Sequence, residues 1–396
     1  MMKVLLLVVL VAGASAFAPA SRVARNRVAG CPTQHKGASA LSMAATPVAV
    51  SITPQSRLGQ LFAANPVPGK VIVGGLTVLL AFFAWFQKAV WTASRTYDRE
   101  ANSVGREYDA WTQEGILEYY WGEHIHLGYY NKEERDKGYL RKNFIQAKYD
   151  FIDEMADWGE ISKLKPEKVL DVGCGIGGTS RYLAKKFGAG TSVTGITLSQ
   201  AQVDRATGLA KDRDIPNAKF QVMDALEMTF PDNTFDVVWA CESGEHMPDK
   251  KKYVEEMVRV LKPGGRIVIA TWCQRDETPE TPFNNYERKM LDFLYSEWTH
   301  PYFISIGDYK KLMLGTGQCE NVKTDDWMEE TVPSWRHSIW VGVFDPWPVF
   351  RRPHLWWKCF RDGLTLERMH KSFKNGLMEY GMMTGSKTVP PATEMN

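Results

Sequence analysis

The chain has 396 residues, 44% of them hydrophobic, with 48 Lys and Arg against 46 Asp and Glu. That balance is a split: nine basic residues and no acid precede the first carboxylate, Asp98, which leaves an acidic body of 39 basic and 46 acidic residues. An acidic body has no face for a phosphate backbone, which excludes nucleic acid as a partner on electrostatic grounds, and six scattered cysteines with no Cys-x-x-Cys pair indicate neither a disulfide framework nor a zinc ribbon.

In chain order, Lys3, the apolar run 4–11 and Ala12-Gly13-Ala14-Ser15-Ala16 have the charged, apolar and small-residue regions of a signal peptide over 1–16. Residues 17–65 are rich in Ser, Thr, Ala and Arg and hold no acid, the composition of a transit segment. Ala14-Ser15-Ala16-Phe17-Ala18-Pro19 resembles the bipartite presequence of algae with complex plastids, which implies delivery to a plastid (chloroplast). A second apolar stretch, from Val71 to Gln87, is uncharged between Lys70 and Lys88 and ends near Trp85 and Trp91. It predicts a transmembrane or membrane-inserted helix over 70–91, at the lower length limit for a span, with membrane lipid as a partner.

Residues 98–160 are expected to form a cover segment. Within it Phe144, Ile145, Phe151, Ile152, Met155 and Trp158 recur at helical steps. A βα alternation follows over 161–275: strands at 168–172, 191–196, 219–223, 235–241 and 266–272, with helices at 179–187, 200–211 and 250–261 between them. This pattern predicts an α/β fold with a doubly wound sheet and right-handed crossovers. Residues 276–385 are expected to supply a helical cap inserted between two last strands, 321–327 and 377–384, and 386–396 a frayed tail beginning near Pro390-Pro391.

Strand one runs into Gly173-Cys174-Gly175-Ile176-Gly177-Gly178. No Gly-Lys-Ser/Thr follows, so this is no phosphate loop. A dinucleotide fingerprint wants an acid ending strand two, and Gly195-Ile196-Thr197-Leu198-Ser199 has none. Asp171 to Gly178, Met223-Asp224-Ala225 and Leu261-Lys262-Pro263-Gly264-Gly265, in that order, resemble the motifs of class I S-adenosylmethionine-dependent methyltransferases, whose fold is Rossmann-like. The resemblance implies S-adenosyl-L-methionine as cofactor, held by Asp171, Gly173, Cys174, Gly175 and Gly177 at the methionine end. Asp224 and Ala225 would meet its adenine, and Thr197, Ser199 and Gln202 would stand where most relatives carry a ribose-clamping acid.

The segment 108–130 is aromatic-dense and carries His124 and His126 two residues apart, which in extended chain point the same way. No further ligands at metal spacing lie near, so no metal is expected. Gly115 to Gly128 and Ser338-Ile339-Trp340 resemble the cyanobacterial-type 2-methyl-6-phytyl-1,4-benzoquinol methyltransferases, and Ser243-Gly244-Glu245-His246-Met247-Pro248-Asp249-Lys250 is similar both to those enzymes and to the tocopherol O-methyltransferases. This implies C-methylation of a prenylated quinol in tocopherol and plastoquinone synthesis. The alternatives are O-methylation of γ-tocopherol and, in another class, an idle lipid- or cofactor-binding scaffold. A ring carbon is a weak nucleophile, and removal of the neighbouring phenolic proton strengthens it, which asks for a base. His246 is the first candidate, with Glu245 or Glu242 to orient it, and His124 or His126 the next. Glu242 is also a candidate cofactor ligand. Tyr108, Trp121, Trp272, Trp335 and Trp340 are candidates to line the acceptor site.

Overall fold

The structure, a computed structural model, describes residues 69–390, the side chains of 69–74 and 76 excepted. The signal and transit segments fall outside those residues. The chain divides into two units, Met1–Ala89 and Val90–Asn396.

Helix α1 (Gly69–Trp91) forms where the second apolar stretch predicts it. Its membrane-spanning role is corrected: among the described residues no helix is long and apolar enough to cross a membrane. In the second unit, Val90 is buried, and Trp91 packs edge-on against Phe293 at 5.4 Å beneath the Arg368 guanidinium.

A cover of α2 (Ser103–Glu114), α3 (Ile116–Trp121), α4 (Lys132–Lys137) and α5 (Gln146–Trp158) precedes the sheet. Then come β1 (Lys168–Val172), α6 (Gly178–Phe187), β2 (Ser192–Thr197), α7 (Gln200–Asp212), β3 (Ala218–Val222), β4 (Phe235–Cys241), α8 (Lys250–Val260) and β5 (Leu261–Gln274). After α9 (Asn285–Glu297), α10 (Ile306–Gly315) and β6 (Cys319–Asp326), four helices lie before the last strand: α11 (Met328–Thr331), α12 (Pro333–Phe344), α13 (Trp347–Phe350) and α14 (Trp356–Lys374). β7 is Met378–Lys387.

The sheet order is β3-β2-β1-β4-β5-β7-β6. β1 to β5 are parallel, and β7 runs antiparallel between β5 and β6. Residues along β4 alternate in the way its period demands. Val237 and Trp239 enter one core with Phe151, Met155 and Leu183, while Val238 and Ala240 enter the other with Tyr253, Met257 and Ile269. Burial on both faces explains why these strands read as apolar runs rather than as alternating ones. The direction of order reverses between β1 and β4, so their carboxyl ends open the crevice where ligands bind in such sheets.

The frayed-tail expectation is corrected at its start. Ser386 and Lys387 belong to β7, and buried Lys387 extends its Nζ to Asn233 Oδ1 and to the carbonyls of Val258 and Arg259. Those three acceptors, two at the end of α8 and one in the turn before β4, bind the cation and hold the strand down. Residues 391–396 lie outside the described residues.

Candidate active site

The β1–α6 loop turns through three left-handed glycines, Gly173, Gly175 and Gly177, with φ of 83°, 54° and 74°. Side chains are strained at such angles. A Cβ on Gly173 would come within 2.3 Å of the Ser243 Cβ, whereas one on Gly175 would meet only the Gln202 amide at 3.9 Å. Gly173 is therefore a packing glycine and Gly175 leaves space. That space belongs to a cavity of about 260 Å³ lined by Asp171, Gly173, Cys174, Gly175, Thr197, Ser199, Gln202, Asp224 and Ala225, the cofactor candidates apart from Gly177, together with Glu242, His124, His126, Tyr108 and His246.

Asp171 is buried at the end of β1 and accepts from Ser180 Oγ at 2.5 Å; burial raises its carboxyl to about 6. Thr197 Oγ1 donates to Gln202 Oε1 at 2.6 Å, and Ser199 caps α7 through Gln202 N. An acid does stand at the end of β2, but it comes from the cover. Asp109 Oδ1 accepts from Ser199 Oγ at 2.5 Å and from Ala201 N at 3.2 Å. Asp224 Oδ1 accepts from Leu226 N at 2.8 Å, while Oδ2 faces Arg99 at 3.5 Å on the cavity rim. A strand-end carboxylate, an open glycine and polar groups along one cavity fit a cofactor with an ammonium, a ribose and an adenine.

The cover lies directly on this loop. A Cβ on Gly178 would meet the Glu123 carbonyl at 2.2 Å. Lys148, fully buried, donates to the carbonyls of Trp121 (3.0 Å) and His124 (2.9 Å) and sits 4.0 Å from the Trp121 ring centre. Trp121 thus belongs to the bracket that holds the His124–His126 segment rather than to the cavity wall. The two imidazoles lie 5.5 Å apart, as an extended pair should. His126 Nδ1 donates to the Leu127 carbonyl at 2.8 Å, and burial lowers its pKa to about 3. His124 Nδ1 is 3.4 Å from Thr179 Oγ1, and burial holds it well below the usual range. Among the described residues no cluster of three ligating side chains could hold a metal ion.

His246 follows β4 on a short 3-10 turn and packs beneath α2. Its Nδ1 lies 3.4 Å from the Thr299 carbonyl, which can only accept, so the proton is on Nδ1. Nε2 therefore offers a lone pair, and the Tyr108 hydroxyl donates to it at 3.0 Å. Burial lowers the imidazole to about 4, so it is neutral at ordinary pH.

Neither expected acid orients His246. Glu245 Oε1 accepts from Trp272 N at 2.6 Å. Its neighbour Lys250 donates to the carbonyls of Gly244 and Glu245, and burial pushes the acid up and the amine down. Glu242, at φ 50°, accepts at Oε1 from Leu127 N (2.8 Å) and from the Tyr380 hydroxyl (2.6 Å). Burial raises it to about 8. It ties the cover to β7. The group that holds His246 is a backbone carbonyl on the α9–α10 connection, which no side-chain pattern signals.

Trp272 and Trp335 pack against each other at 5.0 Å, and Trp272 lies 5.5 Å from His300, which in turn lies 4.4 Å from His246. They form an aromatic layer behind His246. Trp340 is farther out, stacked on exposed Phe344 at 5.4 Å, so it belongs to the outer end of α12. Asp109, Thr299 and His300 are the site residues that sequence reasoning missed.

A family model described as a methyltransferase domain matches residues 170–269. The chain is 45% identical over 289 residues to 2-methyl-6-phytyl-1,4-hydroquinone methyltransferase of Synechocystis sp., covering 72% of this chain and 87% of that protein. It is 39% identical to a chloroplastic tocopherol O-methyltransferase of Arabidopsis thaliana, covering 69% and 79%. A solved geranyl diphosphate C-methyltransferase from Streptomyces coelicolor superposes with a TM-score of 0.54 at 18% identity, over 72% of this chain and 96% of that one, a likeness of fold.

Proposed function

The chain belongs to the S-adenosylmethionine-dependent methyltransferases that include the prenyl-hydroquinol and tocopherol enzymes, and from there we propose that it methylates a ring carbon of a prenylated benzohydroquinol, the 2-methyl-6-phytyl or 2-methyl-6-solanesyl compound. One observation carries the reading: beside the cofactor cavity, a neutral imidazole lone pair already holds a phenolic hydroxyl, that of Tyr108.

The cofactor supplies a methyl group made electrophilic by its sulfonium. The chain supplies position, dryness and a base. His246 Nε2 takes the proton of the quinol hydroxyl, and the phenolate pushes density onto the ortho carbon, where the new C–C bond forms as the C–S bond breaks. The imidazolium then returns its proton to the ring oxygen as the ring proton leaves that carbon for solvent, so aromaticity returns, His246 is neutral again and one proton is released overall. The Thr299 carbonyl accepts from Nδ1–H and stabilises the imidazolium while it carries the proton. Asp171, Ser199, Gln202 and Asp224 hold the cofactor, and Glu242 holds the cover closed over it.

We place the enzyme at the surface of a plastid membrane. The leader composition supports the plastid. Exposed Phe344, Trp347 and Trp357 beside Arg351 and Arg352 suit an interface with anionic lipid. The test is incubation of the recombinant protein with labelled cofactor and a panel of prenyl quinols and chromanols. Mass spectrometry should find the label on a quinol ring carbon. Label on a chromanol oxygen alone would replace this reading with tocopherol O-methylation.

A further inference from the structure

Lys250 opens α8 with its ammonium buried. The position is a poor one for a cation. A helix N-terminus carries the positive end of the helix dipole, and a buried amine also gives up its water. The neighbouring Lys251 and Lys252 keep their ammonium groups at the surface. Lys250 Nζ instead donates to the carbonyls of Gly244 at 2.6 Å and Glu245 at 3.0 Å, with the Tyr302 ring centre 5.0 Å away. These are carbonyls rather than a carboxylate, and they belong to the two residues that precede His246.

The turn that carries His246 needs such a hold. A 3-10 turn has poor hydrogen-bond geometry of its own. Here the backbone bonds from His246 N to the Ser243 carbonyl and from Met247 N to the Gly244 carbonyl are 3.3 and 3.2 Å long. The Thr299 carbonyl stands 3.4 Å from the His246 Nδ1. The ammonium bonds are shorter than any of these, and the charge on the donor strengthens them. On the other side Glu245 Oε1 accepts from Trp272 N at 2.6 Å, and a Cβ on Gly244 would come within 2.7 Å of the Tyr309 hydroxyl. The turn is therefore pressed onto β5 and α10 and pulled in by Lys250.

We infer that Lys250 is a positioning residue of the reaction, which sets the place and orientation of the His246 imidazole by clamping the two peptides before it. This rests on the reading of His246 as base and deepens it. A displacement of about 1 Å at a reacting group costs about a hundredfold in rate. The ammonium also acts through space. Burial lowers the His246 imidazole most, the Thr299 carbonyl raises it, and the Lys250 charge lowers it. The other titratable groups around the pair are Tyr108 from α2, Glu242 and Glu245 past the end of β4, Cys273 on β5 and His300 on the α9–α10 connection. Lys250 is the cation among them, so its removal makes the imidazole easier to protonate.

The test compares the full wild-type chain with Lys250→Met and Lys250→Arg. Heteronuclear NMR of the histidine side chains reads the tautomer of His246, whose signal is identified by its loss in His246→Gln. Single-turnover rates with labelled cofactor and a prenyl hydroquinol read the chemistry. The wild type should show one His246 tautomer, protonated at Nδ1. Lys250→Met should mix the tautomers and slow single turnover about tenfold to a hundredfold, with cofactor affinity within a few-fold. The acid limb of its rate should move to higher pH, toward the ordinary histidine value of about 6.5. Lys250→Arg keeps the charge and the donors and should restore most of the rate and the limb. Where the methionine variant does not fold, Lys250→Gln, which keeps donors without charge, should show the same movement of the limb with a smaller loss of rate. An unchanged His246 spectrum overturns the inference, and so does an equal loss of rate and of cofactor affinity in the Met and Arg variants, which would be general loosening. A changed spectrum with an unchanged rate would leave Lys250 as the group that holds the ring and sink His246 as the base.

Discussion

The two halves of the active site are built differently. The cofactor half is a local object. Asp171, the glycines and their helix come from one run of the chain, and backbone angles decide it: Gly173, Gly175 and Gly177 all lie left-handed within five residues. The acceptor half is assembled from afar. Tyr108 meets His246 across 138 positions, and Thr299 meets it across 53. Short-range steric rules make the first half hard to change, whereas the second can be retuned one side chain at a time. A family can thus keep one methyl donor and vary its acceptors.

If that division holds, damage to each half should leave a different kinetic trace. The largest effect is expected at His246. His246→Ala should lower kcat about 10²- to 10⁴-fold, the usual worth of a positioned base, with cofactor affinity within a few-fold of wild type. Equilibrium binding of the cofactor together with single-turnover rates checks this, and an unchanged rate removes His246 as the base. Gly178→Ala should do the opposite. Its Cβ would strike the Glu123 carbonyl at 2.2 Å, a backbone atom that cannot rotate away. Overpacking of this kind costs about 1–3 kcal/mol, and cofactor affinity should fall by about tenfold or more with the acceptor constant little changed. Loss of acceptor affinity with intact cofactor binding would break the comparison.

A smaller effect is expected at the outer end of α12, which begins beside Trp272 and ends at the surface. Phe344→Ser with Trp347→Ser, residues 71% and 63% exposed, should reduce flotation with phosphatidylglycerol vesicles severalfold and leave turnover of a short-tailed quinol in detergent unchanged. Binding that survives both changes would assign membrane contact elsewhere.

What the sequence discloses follows the same line. Strands at 168–172 and 235–241 fall on their predicted residues, because buried parallel strands are apolar runs closed by turn signals. The antiparallel β7 carries no local mark of its direction. It is set by where α14 returns the chain. Asp109 is instructive: an acid reaches the turn after β2 from 90 residues upstream of the Ser199 it bonds, though it does not line the cavity. Linear spacing cannot find it. Nor can it find Thr299, whose contribution to His246 is a carbonyl that every residue possesses. Glu242 and Glu245 looked like partners of His246 because they are its neighbours in sequence. The turn sends one to Leu127 and Tyr380 and the other to Trp272.

Glu242 supplies the finest test, since it ties the cover to β7. Its carboxyl is raised from 4.5 to about 8 by burial, so the fold favours the protonated form. A raised pKa stabilises the fold fully below the unfolded value and ceases to do so as pH climbs through the folded one. Between about pH 4.5 and 8 the unfolded chain ionises this acid while the folded chain resists, so this group's contribution falls as pH rises. Glu242→Gln keeps an oxygen for Leu127 N and the Tyr380 hydroxyl and cannot ionise. The wild type should lose melting temperature between pH 6 and pH 9, and the variant should lose less, by a few degrees. Parallel melting curves across that range would show that Glu242 is ionised in the folded state. The contact between cover and β7 would then be a charged clamp.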